Sequence, residues 1–333
     1  MKNWKLWVGV IISLVFLYLG MRGLKLDQVW DDVRQANYVW LIPAVLVYFV
    51  AVWGRTWRWH YLLRPIKAIP IRRLFPILVI GYMGNNVYPA RAGELIRSYI
   101  LRKREDVSIS ATLATIIVER IFDGVVMLLF VFVSLPFTPM PDWLQRVVII
   151  GGLAFGGALA VFFVLALSPD LAQRVYGWLI DHLLPQRVRE PVRGFADRFM
   201  EGLYALRSGR DVAMIFLISP LIWLVETVVY WLVMQGFGFS VPFYVLMLMS
   251  GVVNLATTIP SSPGYVGTFD ALGIKVLEGF RVPGTLAAGY TLVLHATLWL
   301  PITLVGAYFM WRESIGWGEF AAAKEAKEEA ASG

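Results

Sequence analysis

The chain contains no cysteine, which excludes disulfides, thiolate-held metals and cysteine nucleophiles. Histidine is nearly as scarce. His60, His182 and His295 fall on separate segments without metal-ligand spacing, so neither a metal site nor a cofactor is expected. Charged residues make up only 16% of the chain, against about 25% in a soluble domain. What fills the sequence instead is apolar: 58% of residues are hydrophobic and the mean hydropathy is +0.66. Several apolar stretches reach the roughly 20 residues that a helix needs to cross a hydrocarbon core. The net charge of +7 would suit nucleic acid in a soluble protein, but in a membrane protein Lys and Arg mark cytoplasmic loops and lipid phosphates, so no nucleic-acid partner is expected.

The sequence therefore predicts an all-α integral membrane protein. Apolar helices fit about 5–21, 38–60, 108–135, 147–168, 211–235 and 285–311, six full spans, with the first retained because no small-residue cleavage site precedes Met21. Two regions, 71–101 and 243–280, have a Pro/Gly-rich polar centre between shorter apolar runs, the pattern of re-entrant or broken-helix hairpins. Lys2, Lys5, Arg64, Lys67, Arg72, Arg73, Arg102, Lys103 and Arg104, with seven Arg in 169–210, mark the cytoplasmic side, whereas 136–145 and 236–242 have no Lys or Arg. Both termini are then cytoplasmic and the two hairpins enter from opposite faces. Residues 1–312 are expected to form one polytopic domain, with an amphipathic cytoplasmic segment over about 169–210 and a charged cytoplasmic tail over 313–333.

An offset of 171 positions superposes Pro89 on Pro260, sets Arg55 opposite Glu226 and brings Asp123 within one position of His295. Units of about 38–135 and 211–311 running in opposite senses would form an inverted repeat, a recurring transporter plan.

Polar residues inside such a chain are the candidate site. In "YPARAGELIRSYILRKR" the helix breaks at Pro89 and Gly93 and restarts near Ala92, placing Arg91 beside free backbone N–H groups, an arrangement suited to an anion such as a phosphate. Arg97 is one turn from Glu94 and within reach of it; Arg91 pairing with Glu94 is the structural alternative. In "IIVERIFDGVV", Glu119 and Asp123 share a helix face and Arg120 is three residues from Asp123, so the cluster is either functional or glue for the broken helix. Arg55 is deep in its span, Arg58 and His60 are near enough to its end to snorkel, and Glu226 needs a basic partner such as Arg55, Arg91 or Arg120. In "IPSSPGYVGTFD", Pro260, Pro263, Gly264 and Gly267 form a turn, Asp270 caps the return helix or serves the site, and His295 is a satisfied interior histidine or one that senses protons or donates to a headgroup. These fifteen positions, namely Arg55, Arg91, Gly93, Glu94, Arg97, Glu119, Arg120, Asp123, Glu226, Pro260, Pro263, Gly264, Gly267, Asp270 and His295, are the candidate substrate-binding residues, with no catalytic residue among them.

"GNNVYPARAGELIRSYILRKR", then "ATIIVERIFDG", then "IPSSPGYVGTFD" with a later histidine, resembles the lysylphosphatidylglycerol synthase transmembrane-region family over nearly the whole chain. That family includes the membrane half of the bacterial multiple peptide resistance factor, linked to moving aminoacylated phosphatidylglycerol between leaflets. The resemblance implies a lipid flippase or transporter whose partner is a membrane phospholipid, aminoacylated phosphatidylglycerol being one candidate. The chain reaches Gly333 without room for the acyltransferase-like domain that makes that lipid, so a stand-alone member without synthase activity, not an enzyme, is expected. A membrane-embedded lipid enzyme and a non-transporting scaffold for a lipid-modifying enzyme partner are the rival readings, and a homo-oligomer is compatible with any of them.

Overall fold

The computed structural model describes residues 4–88, 91–138, 142–203, 206, 208–257 and 263–313, and these are helical with no strand among them. Thirteen α-helices follow in order: α1 Trp4–Met21, α2 Leu26–Gln35, α3 Leu41–Leu63, α4 Ile71–Val87, α5 Ala92–Glu105, α6 Ile109–Ser134, α7 Asp142–Leu167, α8 Pro169–Leu183, α9 Gln186–Gly202, α10 Gly209–Gly236, α11 Phe243–Ala256, α12 Thr268–Gly279 and α13 Gly284–Arg312. Helices thus occur at all six ranges expected to span. Three stretches, Tyr38–Leu63, Gly209–Gly236 and Gly284–Arg312, are long and apolar enough to cross a membrane, and a fourth exists if Leu159–Leu167 and Pro169–Leu183, bent by 108°, act as one. Helix α6 is as long as α7 but carries Glu119, Arg120 and Asp123 near its middle.

The outer faces are apolar. Ile42, Leu46 and Val50 line one exposed stripe of α3 at helical spacing, and Leu217, Leu221, Leu300 and Leu304 do the same on α10 and α13. Such continuous exposed apolar area is stable against lipid and not against water.

Helices α3 and α10 pack antiparallel along their length. At one end the Asn37 N–H donates to the Gly236 carbonyl at 2.7 Å, and at the other Arg64 meets Asp211 at 3.6 Å. Helices α2, α4, α5, α6, α9, α11, α12 and α13 are arranged about this pair in matching fashion: α4 packs on α5 as α11 packs on α12, α4 on α13 as α11 on α6, α5 on α6 as α12 on α13, and α2 on α13 as α9 on α6.

Region 71–101 is a helical hairpin. Its two ends are held together where Lys67 and Arg73 each lie 3.3 Å from the Glu105 carboxylate. Its arms touch backbone to backbone: a Cβ on Gly93 would lie 1.8 Å from the Gly81 carbonyl oxygen. Region 243–280 is the second hairpin, its ends joined by an edge-on contact of Tyr244 and Phe280 at 6.1 Å. Because the first hairpin follows the C-terminal end of α3, the second follows that of α10, and α3 and α10 are antiparallel, the hairpins start from opposite ends, and Arg91 beside the first break meets Thr257 beside the second.

The segment 169–210 folds as two helices, α8 and α9. Arg193 of α9 bonds Asp181 of α8 at 2.8 Å, and Gly202 lets α9 approach the backbone of α6 at Ala111. Pro89, Pro260 and the tail beyond Glu313 lie outside the described residues.

Candidate functional site

Where the two hairpins converge there is a cavity of about 160 Å³. Arg55, Arg91, Arg120, Glu226, Gly264 and His295 of the expected residues line it. Tyr48, Tyr82, Trp223, Tyr265, Phe269 and Trp299 supply aromatic walls, and Asn85, Asn86, Asn254 and Thr257 supply amide and hydroxyl groups.

Arg91 is placed by the break itself. It is the N-cap of α5 in the left-handed conformation (φ 52°, ψ 39°), a strained geometry for a residue with a side chain. Its Nη2 donates to the Thr257 carbonyl at 2.9 Å, its guanidinium lies 5.8 Å from the centre of the Tyr265 ring, and its Nη1 is 3.8 Å from Glu94. Thr257 ends α11, so Arg91 sits at the negative end of that helix dipole and ties one hairpin tip to the other. The expected wall of α5 backbone donors is not there: Gly93 and Glu94 do not line the cavity, because the start of α5 packs against the α4 backbone.

The second tip is held from α13. His295 Nε2 contacts the Gly264 carbonyl at 2.8 Å and its Nδ1 contacts Asp270 Oδ1 at 2.9 Å. Asp270 Oδ2 accepts the Gly267 N–H at 2.8 Å, so this carboxylate both caps α12 and orients the histidine. Gly264 and Gly267 have φ of 69° and 88°, which the turn requires and a side chain would resist. Pro263 starts the short 3-10 turn over Pro263–Tyr265 and is outside the cavity wall.

Behind the cavity lies a set of buried ion pairs that differs from the pairing read along single helices. Arg97 bonds Glu119 of α6 with both nitrogens, at 2.7 and 3.2 Å, and not Glu94; its guanidinium stacks 3.5 Å from the Trp59 ring centre. The reason is that α4 crowds α5 at Gly81, turning Arg97 inward. Glu94 instead accepts from Arg120 Nε at 3.1 Å. Arg58, expected to snorkel, is 1% exposed and donates to Asp123 at 2.7 Å and to Ser219 at 2.9 Å. Asp123 Oδ1 also accepts the Trp223 indole N–H at 2.9 Å, leaving Arg120 a 3.5 Å contact with Oδ2. Glu226 bonds Arg55 directly, and Arg55 lies 4.9 Å over Trp223. His60 contacts the Ile69 carbonyl at 2.7 Å. Apart from Arg120 with Asp123, both on α6, each pair joins two helices, so the charges gain partners at the cost of desolvation.

Sequence reasoning missed the aromatic and amide lining. The adjacent Asn85–Asn86 just before the break was its available signal: Asn86 bridges to the Trp299 carbonyl and Thr303 on α13 at 3.3 and 2.8 Å.

An all-helical, multi-pass membrane protein with a charged interior cavity closed by two broken-helix hairpins is the class that this fold and site define. The chain belongs to the Lysylphosphatidylglycerol synthase TM region family, which it matches over residues 6–306. It is 24% identical to a UPF0104 membrane protein of Methanothermobacter thermautotrophicus, covering 89% of this chain and 92% of that one. A UPF0104 membrane protein of Methanocaldococcus jannaschii is 19% identical, covering 89% and 91% respectively. Glycosyltransferase AglD of Haloferax volcanii is 29% identical over 90% of this chain, which spans about half (52%) of that protein's length.

Proposed function

We propose that the protein is a lipid flippase or transporter that moves a phospholipid between leaflets, the headgroup passing through the cavity while the acyl chains stay in the bilayer. The carrying observation is Arg91, half-buried at the junction of both hairpin tips and bonded to a carbonyl that a phosphate can replace. Arg55 and Arg120 stand on the same wall. Glu94, Glu119, Asp123 and Glu226 balance the arginine charges. The membrane arrangement that goes with this is six full spans and two hairpins re-entrant from opposite faces, an inverted repeat of about 38–135 and 211–311, with α8 and α9 on the cytoplasmic surface and both termini cytoplasmic. The matched packing about the antiparallel α3 and α10 supports it.

An enzyme acting on a lipid has support in the name of the AglD relative and in the His295–Asp270 pair at the cavity. A scaffold for a lipid-modifying partner is the third reading. Headgroup-labelled phospholipid in reconstituted vesicles separates them by leaflet exchange, chemical turnover or neither. Arg91→Ala should slow exchange severely, Arg91→Lys less so because charge remains while the two-pronged fork is lost, and exposed Arg102→Ala should change nothing. Normal exchange by Arg91→Ala would refute the phosphate role.

A further inference from the structure

The charges around the cavity do not cancel, and the remainder narrows the cargo proposed above, on whose reading this step rests. Among the described residues, five guanidinium groups gather in the interior, those of Arg55, Arg58, Arg91, Arg97 and Arg120. Four carboxylates answer them: Glu226 to Arg55, Glu119 to Arg97, Asp123 to Arg58 and Arg120, and Glu94 to Arg120. His295 and Asp270 add nothing net. The Gly264 carbonyl only accepts, so Nε2 carries a proton, and the Nδ1 to Oδ1 contact needs one more; whichever atom holds it, the pair as a whole is neutral. One positive charge is left over. It falls to Arg91, whose hydrogen bond goes to an uncharged carbonyl and whose distance to Glu94 is 3.8 Å.

The same contacts leave no free carboxylate for a ligand cation. Glu226 is the one carboxylate on the described cavity wall, and Arg55 already bonds it. Three of the aromatic faces already carry a guanidinium: Arg55 lies over Trp223 at 4.9 Å and near Tyr82 at 6.0 Å, and Arg91 lies 5.8 Å from Tyr265. The rest of the polar lining is neutral: Asn86, Asn254 and Thr257 bring amide and hydroxyl groups to the wall, and amides suit hydroxyls that both donate and accept.

We infer that the cargo headgroup is a singly anionic phosphodiester joined to an uncharged polyhydroxyl group, a polyol or sugar, and not one bearing an amino-acid cation. An aminoacyl ammonium would cancel the phosphate's own charge, leaving Arg91 unanswered and the ammonium without a carboxylate.

The test uses the full chain and acyl-chain-labelled phosphatidylglycerol, phosphatidylinositol and lysyl-phosphatidylglycerol. Leaflet exchange is measured in phosphatidylcholine vesicles, and binding of short-chain forms is measured in detergent by tryptophan fluorescence, since Trp223 and Trp299 line the cavity. The two polyol lipids should bind and exchange at least tenfold better than the lysyl lipid, and Arg91→Gln should abolish that preference. Equal or tighter binding of the lysyl lipid, or binding of none of the three, overturns the inference whether or not any lipid crosses. The expected binding order without exchange above protein-free vesicles upholds the headgroup assignment and refutes transport. Soluble glycerophosphoglycerol, the same singly charged diester without acyl chains, separates the two sources of this chemistry. Binding a hundredfold weaker than phosphatidylglycerol supports a lipid, and equal binding reassigns the cavity to a soluble phosphate ester.

Discussion

Replacing Gly93 by alanine tests the hairpin directly, because the added methyl has nowhere to go. Its Cβ would stand 1.8 Å from the Gly81 carbonyl oxygen, 2.6 Å from the Asn85 nitrogen and 2.7 Å from Asn85 Oδ1, where ordinary contact begins at 3.4 Å. Two of these neighbours are backbone and cannot rotate away, so α5 must move off α4 by about 1.5 Å. Overpacking that displaces backbone costs about 1–3 kcal/mol, and this case belongs at the upper end. Alanine returns up to about 1 kcal/mol of helix propensity, leaving a net loss of about 2 kcal/mol. Thermal unfolding of the detergent-solubilised protein reads the loss, with Gly177→Ala on α8 as the control because nothing lies within 4 Å of its Cβ position. The control should be neutral or slightly stabilising. A Gly93→Ala protein as stable as the parent would refute the close approach of the two arms, and with it the placement of Arg91 two residues earlier.

Arg55→Met and Glu226→Met should each cost about 3–5 kcal/mol by leaving a buried charge unpaired, while the double substitution should recover most of that loss; additive losses in thermal unfolding would refute the direct pair. Arg97→Lys keeps the charge but loses both the two-pronged bond to Glu119 and the stack on Trp59, and should lower stability by about 2 kcal/mol in the same assay, where no change would contradict the geometry. Single cysteines at Arg73 and Arg102, which end the first hairpin, should react with a membrane-impermeant maleimide from the cytoplasmic side, and those at Ser240 and Arg281, which end the second, from the opposite side. Labelling of the two members of either pair from different sides would mean that hairpin crosses the membrane.

Helix positions and the two breaks were legible because apolar run length and Pro/Gly punctuation act locally. The correspondence of Arg55 with Glu226 was legible as an offset of 171 and Arg55 as one of three partners open to Glu226; antiparallel packing of α3 on α10, which brings corresponding positions face to face, selects it. The partners of Arg97 and Arg58 were the part that failed. Spacing of three residues pointed Arg97 at Glu94, yet its partner comes from another helix because Gly81 and Gly93 set how closely α4 and α5 approach. Arg58 was misread because proximity to the end of an apolar run says nothing about which face of the helix is inward. The same ambiguity hid the cavity aromatics. Trp223 and Trp299 look in sequence like lipid-facing rings, and only packing against α6 and the second tip distinguishes them from exposed Trp53 and Trp311.

The interior arginines therefore divide by what they leave behind when removed. Arg58 and Arg97, with side chains 1% and 2% exposed, each hold a carboxylate from a different helix, and deleting either takes the closest cation from a buried anion, so stability falls before any question of transport arises. Arg91 is 26% exposed and bonded to a backbone carbonyl at the end of α11. Its removal strands no buried charge and costs only one dipole-end contact, on the order of 1 kcal/mol. A broken hairpin is what separates the two cases: in a continuous helix an arginine at this depth would need a carboxylate partner to be tolerated, whereas the left-handed cap at the tip gives it a carbonyl and leaves its charge available to whatever enters the cavity.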